Sequence, residues 1–266
     1  MFKASLPLAV AAVALMSGVT GAAAQTVTAL VDGKSLATID LAQKKVMRSV
    51  MLDGGATLVG IDVRPADGRL YGLAGDGTIV IVDAKTGKWE KKSQLSEKLA
   101  TGVTYTVDFN PVADRLRVIA SNGTNLRINV DDGKTTVDAP LKFADADAAK
   151  LQTARVVAGG YVNSFAGTKE TALYDVDATT NALVKQAPPN DGILNTVGSL
   201  GIKLGTHVAF DILADGKGGN AAWLMSDDSL FTVDLATGKA TAAGKIGGLK
   251  GKVTDIAVMA PAGASM

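Results

Sequence analysis

Four aspartates, Asp62, Asp108, Asp211 and Asp255, stand at matching places in four short apolar segments: GIDVRP, TVDFNP, VAFDIL and VTDIAVM. If those segments line a common axis, the four carboxylates converge, and a ring of oxygens is what a hard cation such as calcium takes. Asn163, in YVNSF, would fill the fifth place of that ring. The spacing also has a plainer meaning, in which each Asp bonds backbone or an arginine within its own unit. Periodicity favours the plainer meaning, because it marks a structural unit rather than a ligand.

A second cluster comprises Asn110, Arg115, Arg117, Asn125, Arg127 and Asn129. Arginines at alternate or nearby strand positions could clamp a carboxylate or phosphate with paired hydrogen bonds. Asp114 and Asp131 lie close in sequence, so an Arg–Asp ladder between strands is the favoured alternative. A third feature is the segment PPNDGILN, residues 188–195. It is stiff at its start, polar, and longer than a hairpin needs, and such loops on rigid scaffolds often carry binding. Asn190, Asp191 and Asn195 would make its contacts, unless the segment serves only to cap an irregular unit.

No catalytic residue emerges. His207 is the one histidine and there is no cysteine, which leaves too few ligands for a usual zinc site. No G-x-S-x-G elbow or S-x-x-K pair marks a nucleophile. Asp175-x-Asp177-x-Thr179-x-Asn181 has calcium-loop spacing but lacks the central glycine and closing glutamate, and it falls on a recurrent turn. Trp89 and Trp223 are isolated and read as packing residues.

The elements that must position these residues come from an internal repeat. An Asp or Asn after alternating apolar residues, followed by a polar turn, recurs as IDLAQKK, VDAKTGK, INVDDGK, VDATTNA and VDLATGK. Upstream of four copies lies a second turn: Asp32-Gly33, Asp76-Gly77, Asn122-Gly123 and Asp227-Asp228. Asx side chains bond their own following backbone, and Gly or Asn accepts positive φ, so both turns read as hairpins. A full unit then holds four short antiparallel strands in about 43–57 residues, the size of a propeller blade. The first unit lacks its opening strand, and VTDIAVM at the far end supplies it, as ring closure requires. The count predicts an all-β, five-bladed propeller closed by the C-terminal strand on the N-terminal blade. A β-sandwich or an open repeat array is the alternative. Residues 145–154, in ADADAAKLQTA, are the one stretch with a helical character.

Lys3, an apolar run from Leu6 to Met16 and small residues closing in Ala22-Ala23-Ala24 form a signal-peptide pattern over residues 1–24. The run is too short to span a bilayer. Residues 25–266 are read as one domain, which without cysteine must be held by its core. Thirty glycines and a formal charge of +1 fit short strands and tight turns, with no basic tract for nucleic acid.

GIDVRPADGRLYGL, VDFNPVADRLRVIASNGTNLRIN, YVNSFAG, LYDVD and PPNDGILNTVGSLG resemble the bacterial domain-of-unknown-function family 4394. The resemblance implies an exported propeller and brings no activity, cofactor or catalytic residue. The expected function is an exported, non-catalytic binding or interaction module, periplasmic or extracellular and monomeric. Its partner would be a protein or small molecule, with neither nucleic acid nor a membrane span involved. The alternative is a calcium-dependent, lactonase-like hydrolase in the central channel; otherwise no cofactor is expected.

Overall fold

A computed structural model describes residues 25–259; residues 1–24, on which the expected signal peptide falls, and residues 260–266 lie outside them. Alternating apolar residues and Asx-Gly turns fold the chain into five small sheets. The first blade holds β1 (Thr26–Val31), β2 (Ser35–Asp40) and β3 (Lys45–Met51), and the second holds β4 (Leu58–Val63), β5 (Leu70–Ala74), β6 (Thr78–Val82) and β7 (Trp89–Gln94). The third comprises β8 (Tyr105–Asn110), β9 (Arg115–Ala120), β10 (Asn125–Ile128) and a short β11 (Thr135–Val137). The chain then adds β12 (Lys142–Phe143) in parallel to the outer strand of the fourth blade. That blade is β13 (Val156–Tyr161), β14 (Leu173–Asp177), β15 (Ala182–Gln186) and β16 (Ile193–Ser199). The fifth is β17 (Val208–Ala214), β18 (Asn220–Ser226), β19 (Ser229–Val233) and β20 (Ala240–Lys245).

The last strand, β21 (Val253–Met259), returns to the first blade and pairs antiparallel with β1, from Thr26↔Met259 to Val31↔Val253. The inner strands β21, β4, β8, β13 and β17 touch one another in that order, and β17 touches β21 again. The ring is closed, as the repeat count predicts.

Closure determines where the core lies. Each blade has neighbours on both faces, so both faces must be apolar, and five hydrophobic clusters occupy the five seams between blades. Inner strands are buried throughout, as in YTVDFN of β8, whereas KVMRSVM of β3 on the rim is mostly exposed. Tyr71 of the second blade meets Phe109 of the third edge-on at 5.3 Å, a favourable aromatic geometry.

The recurrent Asp and Asn cap their hairpins as expected: Asp83 Oδ1 accepts from Lys85 N, Asn129 Oδ1 from Asp131 N, and Asp234 Oδ1 from Ala236 N. Asp177 does the same with Thr180, so the 175–181 segment is a turn. These hairpins also clasp the preceding blade. Gly133 (φ +75°) lies against the Gln94 backbone, where any Cβ would collide with the Gln94 carbonyl.

Two expectations are corrected. Residues 145–154 form successive turns rather than a helix: the Asp147 carboxylate accepts Ala149 N and both the amide and hydroxyl of Thr196, tying the segment to the outer strand of the fourth blade. The opening strand of the fourth blade is VVAGGY, which ends at Tyr161, so YVNSF mostly follows the strand.

Candidate functional site

The axis is built from the inner strands. Asp62, Asp108, Asp211 and Asp255 are each no more than 5% exposed. Carboxylate oxygens of Asp62, Asp108 and Asp211 all lie within 4.8 Å of one another. Asp255 is not part of that group. The registry follows from the bonds between blades. Asp62 Oδ2 accepts Phe109 N at 2.6 Å, Asp108 Oδ1 accepts Tyr161 N at 3.0 Å, and Asp211 Oδ2 accepts Val258 N at 2.6 Å. Asp255 Oδ2 accepts Ile61 N at 2.9 Å. Each carboxylate thus reaches from its own inner strand to the backbone of the next. Three of them also cap their own chain: Val63 N, Ile212 N and Ile256 N donate to Asp62, Asp211 and Asp255.

The register of Asp62, Asp108 and Asp211 passes through Gly160 in the fourth blade and Ala257 in the first, so neither Asn163 nor Asp255 stands at the matching place expected of it, and Asp255 makes its tie two residues away. Asn163 lies past the end of β13, with φ +57°. Its backbone N–H donates to Asn220 Oδ1 at 2.7 Å and its Oδ1 accepts from Asn220 Nδ2 at 2.9 Å, so it ties the fourth blade to the fifth by another route.

Burial dominates the electrostatics. Desolvation raises Asp62, Asp108 and Asp255 well above the usual carboxylate range, reinforced for Asp62 and Asp108 by neighbouring aspartates. Asp211 rises to about 6, burial again outweighing the amides from Val258 and Ile212; a hydrogen bond with Asp108 lowers it further. Three carboxyls this close in a dry interior cannot all be anionic without a cation, so at neutral pH they either keep protons or hold one.

The arginine cluster is divided by the fold. Arg117 is 2% exposed in the seam between the third and fourth blades. Its guanidinium donates to Asp138 Oδ2 (2.6 Å), Asn125 Oδ1 (2.8 Å), Asn190 Oδ1 (2.8 Å) and Tyr161 Oη (3.3 Å). Arg127 clamps both oxygens of Asp138 at 2.6 and 2.9 Å. Burial pushes the Asp138 carboxyl up, but Arg127 and Arg117 outweigh it and hold it below its ordinary value. Arg115 donates to the carbonyls of Ala113 and Asp114, while Asn110 and Asn129 cap turns.

Arg–Asp pairing therefore exists, with different partners from those near in sequence. Asp114 and Asp131 pair across the seam with Arg64 of the second blade, which also donates to Tyr71 Oη of its own blade. Arg64 and Asp138 are the residues sequence reasoning missed. RP closing GIDVRP was the available signal for the first, and nothing local marked the second.

The 188–195 segment is docked on this network. Asn125 Nδ2 and Gln186 Nε2 both donate to Pro189 O, Ala139 N donates to Asn190 O, and Lys142 N donates to Gly192 O. Asn195 donates to the carbonyl of Ala187, and the Asp191 and Asn195 side chains face solvent. Elsewhere, an open depression of about 580 Å³ on the second blade is lined by Arg69, Asp83, Lys88, Trp89 and Glu90. Trp89 is 39% exposed and its indole N–H is anchored on Asp53 O at 3.0 Å. No helix among the described residues is long and apolar enough to cross a membrane.

Among solved structures, a structural-genomics protein of unknown function from Bacteroides thetaiotaomicron VPI-5482 matches at 15% identity with a TM-score of 0.51, covering 90% of this chain and 65% of its own. A protein of unknown function from Bacteroides caccae matches at 13% identity and TM-score 0.43, covering 82% and 72%. An auxiliary nutrient binding protein from Bacteroides thetaiotaomicron matches at 13% and 0.44, covering 75% and 56%. The first of these likenesses is one of fold. No curated protein matches the chain. The model of the domain of unknown function DUF4394 matches residues 35–257, and with the closed five-bladed ring carrying that whole span, the chain belongs to the DUF4394 family.

Proposed function

We propose that the protein is an exported, non-catalytic binding module. One observation carries this reading: the groups equipped for chemistry are engaged in holding blades together. The axial aspartates accept backbone amides of neighbouring blades, and Arg117 spends its donors inside a seam. What remains for a partner is surface on a rigid ring, which is where propellers and other scaffolds place recognition. The signal-peptide pattern of residues 1–24 supports export. The contact surface we assign is the depression around Trp89, where a fixed, half-exposed indole is flanked by charges of both signs. A small polar ligand with one apolar face suits that combination. The exposed edge of the 188–195 loop, with Asp191 and Asn195, is the second contact.

A thermal-shift and fluorescence screen of small polar metabolites tests the reading. A binder should quench Trp89 and raise Tm equally in the wild type and in Asp62→Asn, and should fail on Trp89→Ala. Hydrolysis of a lactone or ester that disappears in Asp62→Asn would overturn it.

The axial cluster favours a second reading, in which Asp62, Asp108 and Asp211 hold calcium, as a lactonase-like hydrolase would require. Its support is the 4.8 Å convergence of three uncompensated carboxyls. Calorimetry decides: heat of calcium binding in the wild type that vanishes in Asp211→Asn supports it, and no heat removes it.

A further inference from the structure

The seam between the third and fourth blades contains a second buried acid, unconnected with the axis. Asp175 of β14 is fully buried, and neither of its oxygens has a hydrogen-bond partner among the described residues. Gln186 of β15 is 1% exposed, and its Oε1 is likewise unpartnered. The amide orientation of Gln186 is fixed by chemistry, because its Nε2 donates to the Pro189 carbonyl, which can only accept. Registry places both residues on one face: Asp175 is opposite Val184, and Leu173 is opposite Gln186. That face looks onto the third blade, since Leu173 and Val184 share a hydrophobic cluster with Ile119. Asp175 lies flat against Gly159, where any Cβ would strike its Oδ1.

Three acceptor oxygens thus face one seam with no donor. Unpaired buried acceptors are costly, so something must supply a hydrogen or a positive charge. A hard cation takes about six to eight oxygens, and the Arg117 guanidinium acts on Asp175 from across the seam, which opposes a second positive charge. A proton needs only one acceptor.

We infer that Asp175 is held as a neutral carboxylic acid whose O–H donates to Gln186 Oε1, and that loss of this proton loosens the third–fourth seam together with the loop 188–192 latched on it. Burial is the main cause that lifts the Asp175 carboxyl to about 8; Arg117 pulls it down and Asp177 on its own strand pushes it up. The other titratable groups nearby act through Arg117 or the backbone. Tyr161 on β13, Asp138 and Arg127 are bonded to or paired through Arg117, and Asp108 accepts Tyr161 N. Once ionised, Asp175 would compete with Asp138 and Asn190 for Arg117, and Asn190 is the loop's tie to that guanidinium.

Amide hydrogen exchange of the whole protein, corrected for intrinsic rate, tests this at about pH 6 and about pH 9. Segment 188–195 should open at least ~10-fold more at the higher pH than segment 229–245 of the fifth blade. The axial carboxyls bond the inner strand of the fourth blade, through Asp108 and Tyr161, and anchor that of the fifth, through Asp211, and so affect both segments. In Asp175→Asn, whose amide stays neutral and still donates, the excess should vanish. An excess that persists in that variant, or no excess in the wild type, overturns the inference. The wild-type comparison alone decides if the variant fails to fold.

Discussion

Asp62 Oδ2 accepts the Phe109 amide at 2.6 Å, a bond running from the inner strand of the second blade to the inner strand of the third. Asp211 and Val258 repeat it across the seam between the fifth blade and the first. Strands of adjacent blades are too splayed to share a ladder, so their inner-edge amides need acceptors from elsewhere. A short carboxylate on the neighbouring strand provides them. Asp62→Ala strands the buried Phe109 amide and the half-buried Val63 amide, and should cost about 2–4 kcal/mol by urea unfolding. Asp62→Asn keeps one acceptor and should cost less. Equal stability of Asp62→Ala and wild type would mean that the bond carries nothing.

Stability should fall as pH rises from about 5 to about 9. Asp62, Asp108, Asp175, Asp211 and Asp255 are all raised in the folded protein, so the folded state binds protons more tightly than the unfolded chain. Their contribution is complete below the unfolded value of about 3.9 and is lost as pH climbs through the folded values, to about 6 for Asp211 and about 8 for Asp175. Asp131, held at about 2 by Lys92 and Arg64, acts oppositely, and its contribution is lost only in strong acid. Denaturant midpoints at three pH values give the slope, and a rise toward alkaline pH contradicts it.

Arg117→Met should destabilise by about 3–5 kcal/mol, because it leaves the 5%-exposed Asp138 side chain with one cation instead of two and removes the donor to Tyr161 Oη, Asn125 Oδ1 and Asn190 Oδ1. Arg127→Met should cost less, since Arg127 is one-third exposed and holds Asp138 alone. Calorimetric unfolding ranks the two, and the reverse order would refute the latch.

Gly133→Ala and Gly167→Ala form a matched pair. Both glycines have φ near +75° to +80°, so both substitutions pay about 1–2 kcal/mol for a left-handed Cβ. Nothing lies within 4 Å of a Cβ at 167, whereas one at 133 collides with the Gln94 backbone of the preceding blade. Gly133→Ala should therefore be the more damaging by at least ~1 kcal/mol; equal losses would mean that the hairpin does not clasp its neighbour.

The ring was legible in the sequence because its signals are local. Asx-Gly turns and period-two strands are short-range chemistry, and the displaced VTDIAVM could be recognised by its likeness to GIDVRP. Asp62, Asp108 and Asp211 were legible for the same reason, whereas matching VTDIAVM to GIDVRP by their shared Asp misses the true register by two residues. The fourth blade is harder: Gly159 and Gly160 leave no side-chain signature on VVAGGY, and YVNSF just after it offers the apolar and amide residues that draw the eye to Asn163 instead. Partners distant in sequence were also hidden. Arg64 reaches Asp114 and Asp131 across 50 and 67 positions, which only the closed ring brings together, and nothing local in the sequence links Asp175 to Gln186, whose oxygens are isolated by burial.

The account depends most on the axial aspartates being ties between blades. Residue-resolved amide exchange by NMR measures this directly at Ile61, Phe109, Tyr161 and Val258, whose N–H groups are donated to Asp255, Asp62, Asp108 and Asp211. The expected result is exchange as slow as the innermost sheet amides in the wild type, with protection lost at Phe109 in Asp62→Ala and at Val258 in Asp211→Ala. Exchange of these four amides at the rate of surface loops would contradict it.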